Sequence, residues 1–600
     1  MSDSNKILPR SAVNKDDTWA IEDIFPSDAA WEAAVSQLEQ LSTDICAYQG
    51  KLGDSAASLY GYCTTESKIN NLIREIHGYA SRRYDVDTTD STYQAMLSKA
   101  TSAYVACSGK LAFSSPEILA IPDETLAQFY ADEPGLEVYR RSLSDLRRMK
   151  EHILTPAEEK LLAAAGELSD APGQIFSMMG NADAAFPPVI DDEGQELPLT
   201  NGSFVSLLES SNRRIRRDAF MNMYHTLGEH QNTSAAILAA QVNQLKFFAQ
   251  ARKYPSTLEA ALDVTNVPVS VYKNLIETVH NNMSYLHKYM ALRKKLLNVD
   301  ELHMYDIYTS MVPDVDVKIT FEEAKKNVMD AMAVLGSDYQ AILKEGFENR
   351  WIDVYENIGK RSGAYSSDHK VHPFVLLNHK DTLNSEFTLA HEMGHAIHTY
   401  LSNKTQPDPD VEYVIFVAEV ASTCNEALLM QYLLGKTEDR RVRAYLINYF
   451  LEQFRTTLYR QTMFAEFEML INEASENGVG LTADYLKKLY HELNVKYYGD
   501  AMVVDEEIDM EWARIPHFYY NFYVFQYATG FSAAMALSRR ILAEGAPAVK
   551  DYIEFLSGGC SKTPIELLRG AGVDMDSPAP IESALKMFGE LIDEMEELMK

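Results

Sequence analysis

The chain has 600 residues, 46% hydrophobic and 24% charged, with a formal charge of −32. That length is more than one small core needs, so two or more packed units are expected. The acidic excess argues against nucleic acid or an anionic membrane as partner, because both select basic surfaces.

Five cysteines, Cys46, Cys63, Cys107, Cys424 and Cys560, are scattered and odd in number, with no CxxC pair. Free thiols in a reducing compartment suit that pattern. The first residues, Met-Ser-Asp-Ser-Asn-Lys, carry no apolar signal core. No uninterrupted apolar run reaches the length of a membrane span. The expected location is the cytoplasm.

In chain order, residues 1 to about 25 read as an irregular lead-in, and helical patterns begin near Ser27. Ala29 to Leu41 and Ala56 to Arg83 are the first predicted helices. Thr155-Pro-Ala-Glu158 predicts a helix start, with Thr155 as cap and Glu158 completing a capping box. Two short apolar segments flank an acidic turn in Phe186–Leu199, with Gly194 at the turn, which predicts a small hairpin. A boundary near residue 200 divides an N-terminal helical domain, 1–200, from a second domain, 201–600. Helices are expected through 203–250, 268–298 and on to about 346. Arg213-Arg-Ile-Arg-Arg217 reads as a solvated helix face.

The texture then changes. Gly363-Ala-Tyr-Ser366 is turn-like, and Pro373-Phe-Val-Leu-Leu-Asn378 is an apolar run of β character. A strand at that place reads either as an edge that holds a peptide by strand addition or as a buried structural strand. Pro407 and Pro409 end the helix that comes next, and another is expected from about Val414 to Leu434.

Between them lies Thr388-Leu-Ala-His-Glu-Met-Gly-His-Ala-Ile-His-Thr-Tyr400, containing His391, Glu392 and His395 as HExxH. On a helix, residues four apart share a face about 6 Å apart along the axis. Two imidazoles so placed can reach one zinc ion, with Glu392 positioned as base for a metal-bound water. Leu389, Met393, Ala396, Ile397 and Tyr400 form an apolar stripe behind them. The pentad alone is a moderately specific signal.

A catalytic zinc site needs a third ligand. His398 lies seven positions after His391, about 10 Å along a continuous helix, too far to share one ion. It reads as a packing histidine or a partner to a ligand. In Phe416-Val-Ala-Glu-Val-Ala-Ser-Thr-Cys-Asn-Glu426, Glu419, Ser422, Thr423 and Glu426 share a helical face. Glu419 is the candidate ligand, against the alternative of an exposed polar stripe, and Glu426 is a candidate acceptor for a ligating imidazole. Donors for a developing oxyanion are concentrated in Arg514–Gly530, where His517, Tyr520, Tyr523 and Tyr527 recur at helical spacing. Alone, such a stripe favours core packing.

These segments together resemble the oligoendopeptidase F group of the thimet-oligopeptidase-like zinc metallopeptidases. The resemblance runs from Asp17-Thr-Trp-Ala-Ile-Glu-Asp-Ile-Phe-Pro26 through Gly363-Ala-Tyr-Ser366 and the HExxH stretch to Phe416–Ser422. It closes with Arg514–Tyr520 and Gly570-Ala-Gly-Val-Asp-Met575. It implies one zinc ion held by His391, His395 and Glu419, with Glu392 as general base. His517 matches clearly, whereas Tyr520, Tyr523 and Tyr527 are candidates, because Gly530 falls where some relatives carry a tyrosine. The implied fold is mainly α and two-lobed, with a small β element beside the HExxH helix and a deep substrate channel. The implied activity is hydrolysis of internal bonds in short peptides rather than in folded proteins. The alternatives are a zinc carboxypeptidase and a non-catalytic, zinc-stabilised peptide-binding scaffold.

Overall fold

A computed structural model describes residues 7–312 and 318–600. The fold is mainly α, with three small sheets among the described residues. Two compact units interleave along the chain. The first comprises the described residues of Met1–Lys150, Val317–Leu433 and Leu537–Gly572, and the second those of Glu151–Asp316, Leu434–Ala536 and Val573–Lys600. Compactness thus groups the residues differently from a single cut near residue 200.

In the first unit, helices Asp28–Asp44 and Ala56–Val86 begin at Ser27 and Ser55. Each serine accepts a hydrogen bond from the third residue onward and so satisfies one of the amides left open at a helix start. Between them Trp31 is fully buried and its indole N–H donates to the Ile76 carbonyl (2.9 Å). The irregular lead-in is tied down: the Val354 amide donates to the Asp17 carbonyl (3.0 Å), and Trp19 packs edge-on against Phe374.

In the second unit, Thr155 and Glu158 form the expected capping box. Strands β1 (Val189–Ile190) and β2 (Glu196–Leu197) form the expected hairpin, turning through Gly194 at φ 80°. Arg213 and Arg216 differ from a solvated face. Both pair with Asp306, whose side chain is fully buried, at 2.9 and 2.7 Å. A buried carboxylate needs compensating donors, which periodicity does not reveal. Strand β3 (Leu302–His303) is the short partner of a later strand in this unit.

The first unit also holds the three-stranded sheet, built from β4 (Ile352–Asp353), β5 (Tyr365–Ser367) and β6 (Phe374–Leu376). Its order is β4-β6-β5, with β6 parallel to β4 and antiparallel to β5. The apolar run therefore supplies the central strand, fully buried at Phe374, Val375 and Leu376. The edge nearest in sequence is β5, from the segment read as a turn. An unbroken apolar run suits a strand covered on both faces, and that excludes it from the edge.

Candidate metal centre

The HExxH residues lie on helix Leu383–Thr405, which packs against β5 and β6. Thr382 caps it through the Ser385 amide (3.2 Å). Leu389, Met393, Ala396 and Ile397 are fully buried, which orients His391 and His395 to the opposite side. Helix Ile415–Lys436 supplies Glu419 and crosses close by. Gly394 permits the approach: a Cβ there would stand 2.7 Å from the Ser422 Cα and 2.8 Å from the Ala421 carbonyl oxygen. Asn425 joins the two helices, donating to the Ala390 carbonyl (3.1 Å) while accepting from the Tyr339 hydroxyl (2.8 Å).

Three ligand atoms converge as a result. His391 Nε2 and His395 Nε2 are 3.2 Å apart, and Glu419 Oε2 lies 3.3 Å from the first and 3.5 Å from the second. Ligands 2.0–2.1 Å from a tetrahedral zinc stand roughly 3.3 Å from one another. The donor set and its spacing therefore fit such an ion. Among the described residues, this is the one group of three or more His, Cys, Asp or Glu so gathered.

The surrounding groups fix this arrangement. His391 Nδ1 lies 2.5 Å from Glu426 Oε1, which leaves Nε2 facing Glu419. Burial pushes the Glu419 carboxyl upward, but its hydrogen bonds to His391 and His395 outweigh burial and hold it well below the usual carboxylate range. Ser422 donates to Glu419 Oε2 (3.2 Å). Glu392 is buried and Oε2 has no hydrogen-bond partner among the described residues. Burial raises its pKa, offset in part by the neighbouring imidazoles.

His398 is buried and stacks on Tyr413, ring centroids 3.7 Å apart and nearly parallel. Its role is packing. Tyr413 and Asn425 were not legible as parts of this assembly, because neither belongs to a spaced motif.

On the sheet side, Tyr365 of β5 donates to Asp85 (2.6 Å), and Arg82 donates to Ser367 Oγ and the Asp368 carbonyl (both 2.8 Å). The edge strand is thereby clamped to helix Ala56–Val86. A cavity of about 390 Å³ opens along Gly363, Ala364, Asn378, Ser385 and Thr388, the last lying one helical turn before His391.

His517 and the candidate tyrosines belong to the second unit, and they do not share one helix. His517 is on the short turn Pro516–Tyr519, residues 520–524 are irregular, and Tyr527 is in the first turn of helix Phe525–Glu544. The left-handed backbone of Asn521 (φ 55°) and Phe522 (φ 58°) breaks the helical course. The rings nevertheless gather, with the Tyr527 hydroxyl 3.3 Å from His517 Nε2 and the Tyr520 and Tyr523 rings 5.6 and 6.2 Å from the imidazole. Burial, reinforced by Arg460, lowers the His517 pKa and favours the neutral ring.

A helical site of two imidazoles and a carboxylate beside a buried glutamate has the makings of a metal-dependent hydrolase. Residues 206–587 match the model of Peptidase family M3, and residues 117–186 that of Oligopeptidase F. The chain belongs to peptidase family M3. It is 48% identical to Oligopeptidase PepF of Bacillus subtilis, over 99% of this chain and 89% of that protein. It is 40% identical to Group B oligopeptidase PepB of Streptococcus agalactiae, over 98% of each. The crystal structure of oligoendopeptidase-F from Enterococcus faecium superposes with a TM-score of 0.75 at 37% identity, covering 95% of this chain and 99% of that one.

Proposed function

We propose that the protein is a zinc-dependent oligoendopeptidase that cleaves internal bonds of short peptides. The observation that carries this reading is the convergence of His391, His395 and Glu419 beside the buried Glu392, in a chain of this family. His391 and His395 would hold the ion through Nε2, and Glu419 through a carboxylate oxygen. A bound zinc would supply Lewis acidity, lowering the pKa of water and polarising the scissile carbonyl.

Within the chain, Glu392 takes the proton of the attacking water and returns it to the leaving amine. Its burial favours this exchange by bringing its pKa nearer neutrality than that of an exposed carboxylate. Glu426 holds the His391 ring and its tautomer. Strand β5 offers an edge to an extended peptide, and the adjoining cavity offers room for its side chains. By the resemblance, His517 and one of Tyr520, Tyr523 and Tyr527 donate to the carbonyl oxygen as charge develops on it.

The five free cysteines support a cytoplasmic location. Among the described residues, no helix is long and apolar enough to cross a membrane.

The test is product mapping by mass spectrometry on a peptide blocked at both ends, with and without chelator. Internal cleavage that chelator abolishes and zinc restores is expected. Release of the C-terminal residue alone from unblocked peptides would indicate a carboxypeptidase. No cleavage of any peptide in a short-peptide library would indicate a binding scaffold.

A further inference from the structure

The segment between His517 and Tyr527 carries two consecutive non-glycine residues in the left-handed region, Asn521 at φ 55° and Phe522 at φ 58°. A left-handed phenylalanine is a backbone outlier, and such residues persist where their surroundings over-determine them. Three helices, distant in sequence but within one unit, do so here. Glu468, on helix Arg460–Glu476, accepts the Phe522 amide hydrogen through Oε1 at 2.7 Å. Gln241, on helix Gln231–Ala251, donates to the Asn521 side-chain oxygen at 3.0 Å. The Phe522 ring is buried against Tyr272, on helix Val269–Asn281, with centroids 5.9 Å apart.

Glu468 is the unusual member of this set. It is 1% exposed, and among the described residues its Oε2 has no hydrogen-bond partner. A buried carboxyl with one oxygen unsatisfied costs stability; a leucine or methionine would fill the space without that cost but would leave the buried Phe522 amide without its acceptor. The one described hydrogen bond of its carboxyl is to the amide of the strained residue.

We propose that Glu468 is a positioning residue: its carboxyl tethers the Phe522 amide, holds residues 520–524 in the left-handed course, and thereby sets Tyr523 and Tyr527 relative to His517. The inference rests on the reading that this segment serves peptide hydrolysis. Burial raises the Glu468 pKa to about 8, so the carboxyl is neutral at neutral pH and glutamine is its close mimic. Methionine keeps most of the volume and removes the acceptor.

Glu468→Met is expected to lower kcat about ten- to hundredfold, the release of one to two strained residues, with KM within about twofold. Glu468→Gln is expected to keep kcat within about threefold. A merely structural role for Glu468 would lower the thermal midpoint of Glu468→Met without lowering kcat. Wild-type kcat in Glu468→Met, or equal damage from Glu468→Gln and Glu468→Met, overturns the proposal.

If Glu468→Met does not fold, amide hydrogen exchange of the wild-type protein decides. Phe522 should be among the slowest-exchanging amides of residues 515–530, and exchange at the rate of an unstructured amide overturns the tether. His517→Ala is the control. Undiminished turnover in that variant overturns the catalytic reading of the segment, and the kinetic part of the proposal with it. An impaired His517→Ala beside a normal Glu468→Met overturns the proposal alone.

Discussion

Glu426 Oε1 lies 2.5 Å from His391 Nδ1, on the side of the ring opposite Glu419. The contact fixes which nitrogen faces the candidate ion, because the Nδ1 proton is committed to the carboxylate and Nε2 keeps its lone pair. Removing this partner should weaken metal binding while leaving all three ligands in place. Glu426→Ala is expected to lose about 10- to 100-fold in zinc affinity, measured by competition with a chromogenic chelator.

Gly394 faces the backbone of Ala421 and Ser422 at distances that leave no space for a methyl group. Gly394→Ala forces helix Ile415–Lys436 away from helix Leu383–Thr405 and moves Glu419 from His391 and His395. Overpacking of this kind costs about 1–3 kcal/mol. A lower thermal midpoint and weaker zinc retention are both expected; unchanged values for both would show that the helices can part freely.

Glu468 makes stability pH-dependent. Burial raises its folded pKa from the ordinary 4.5 to about 8, so between these values the folded state binds more protons than the unfolded. Its contribution to stability is therefore fully present below about pH 4.5 and is lost as pH rises to about 8. Glu468→Gln should gain stability relative to wild type on going from pH 5 to pH 8 in denaturant titrations. A wild-type-minus-variant difference that does not change with pH would show that this group does not titrate in that window.

The metal-binding pattern was legible because its chemistry imposes spacing. HExxH places two imidazoles on one helical face, and Glu419, Ser422 and Glu426 recur at helical spacing on the helix that returns. Axial distance makes His398 a packing or partner residue, and it stacks on Tyr413. Of the two readings open for Pro373–Asn378, the buried strand holds: Phe374–Leu376 is central, and Tyr365–Ser367, within a segment that reads as a turn, lies at the rim of the sheet. Strand order depends on tertiary pairing that local composition does not encode. Likewise, the spacing of His517, Tyr520, Tyr523 and Tyr527 suggested one helix, which the Asn521–Phe522 backbone interrupts. The tether responsible lies some fifty residues earlier, at Glu468, in a helix whose sequence shows an ordinary mixed pattern.

Glu392 separates binding of the ion from turnover, since as the base it is needed for the second and not the first. The deciding measurement is made on one preparation of Glu392→Gln, assayed together for zinc content and for cleavage of a blocked peptide. About one zinc per chain is expected, as in wild type, with kcat lowered by about 10²–10⁴-fold. Near wild-type turnover in that zinc-loaded variant would rule out Glu392 as the base.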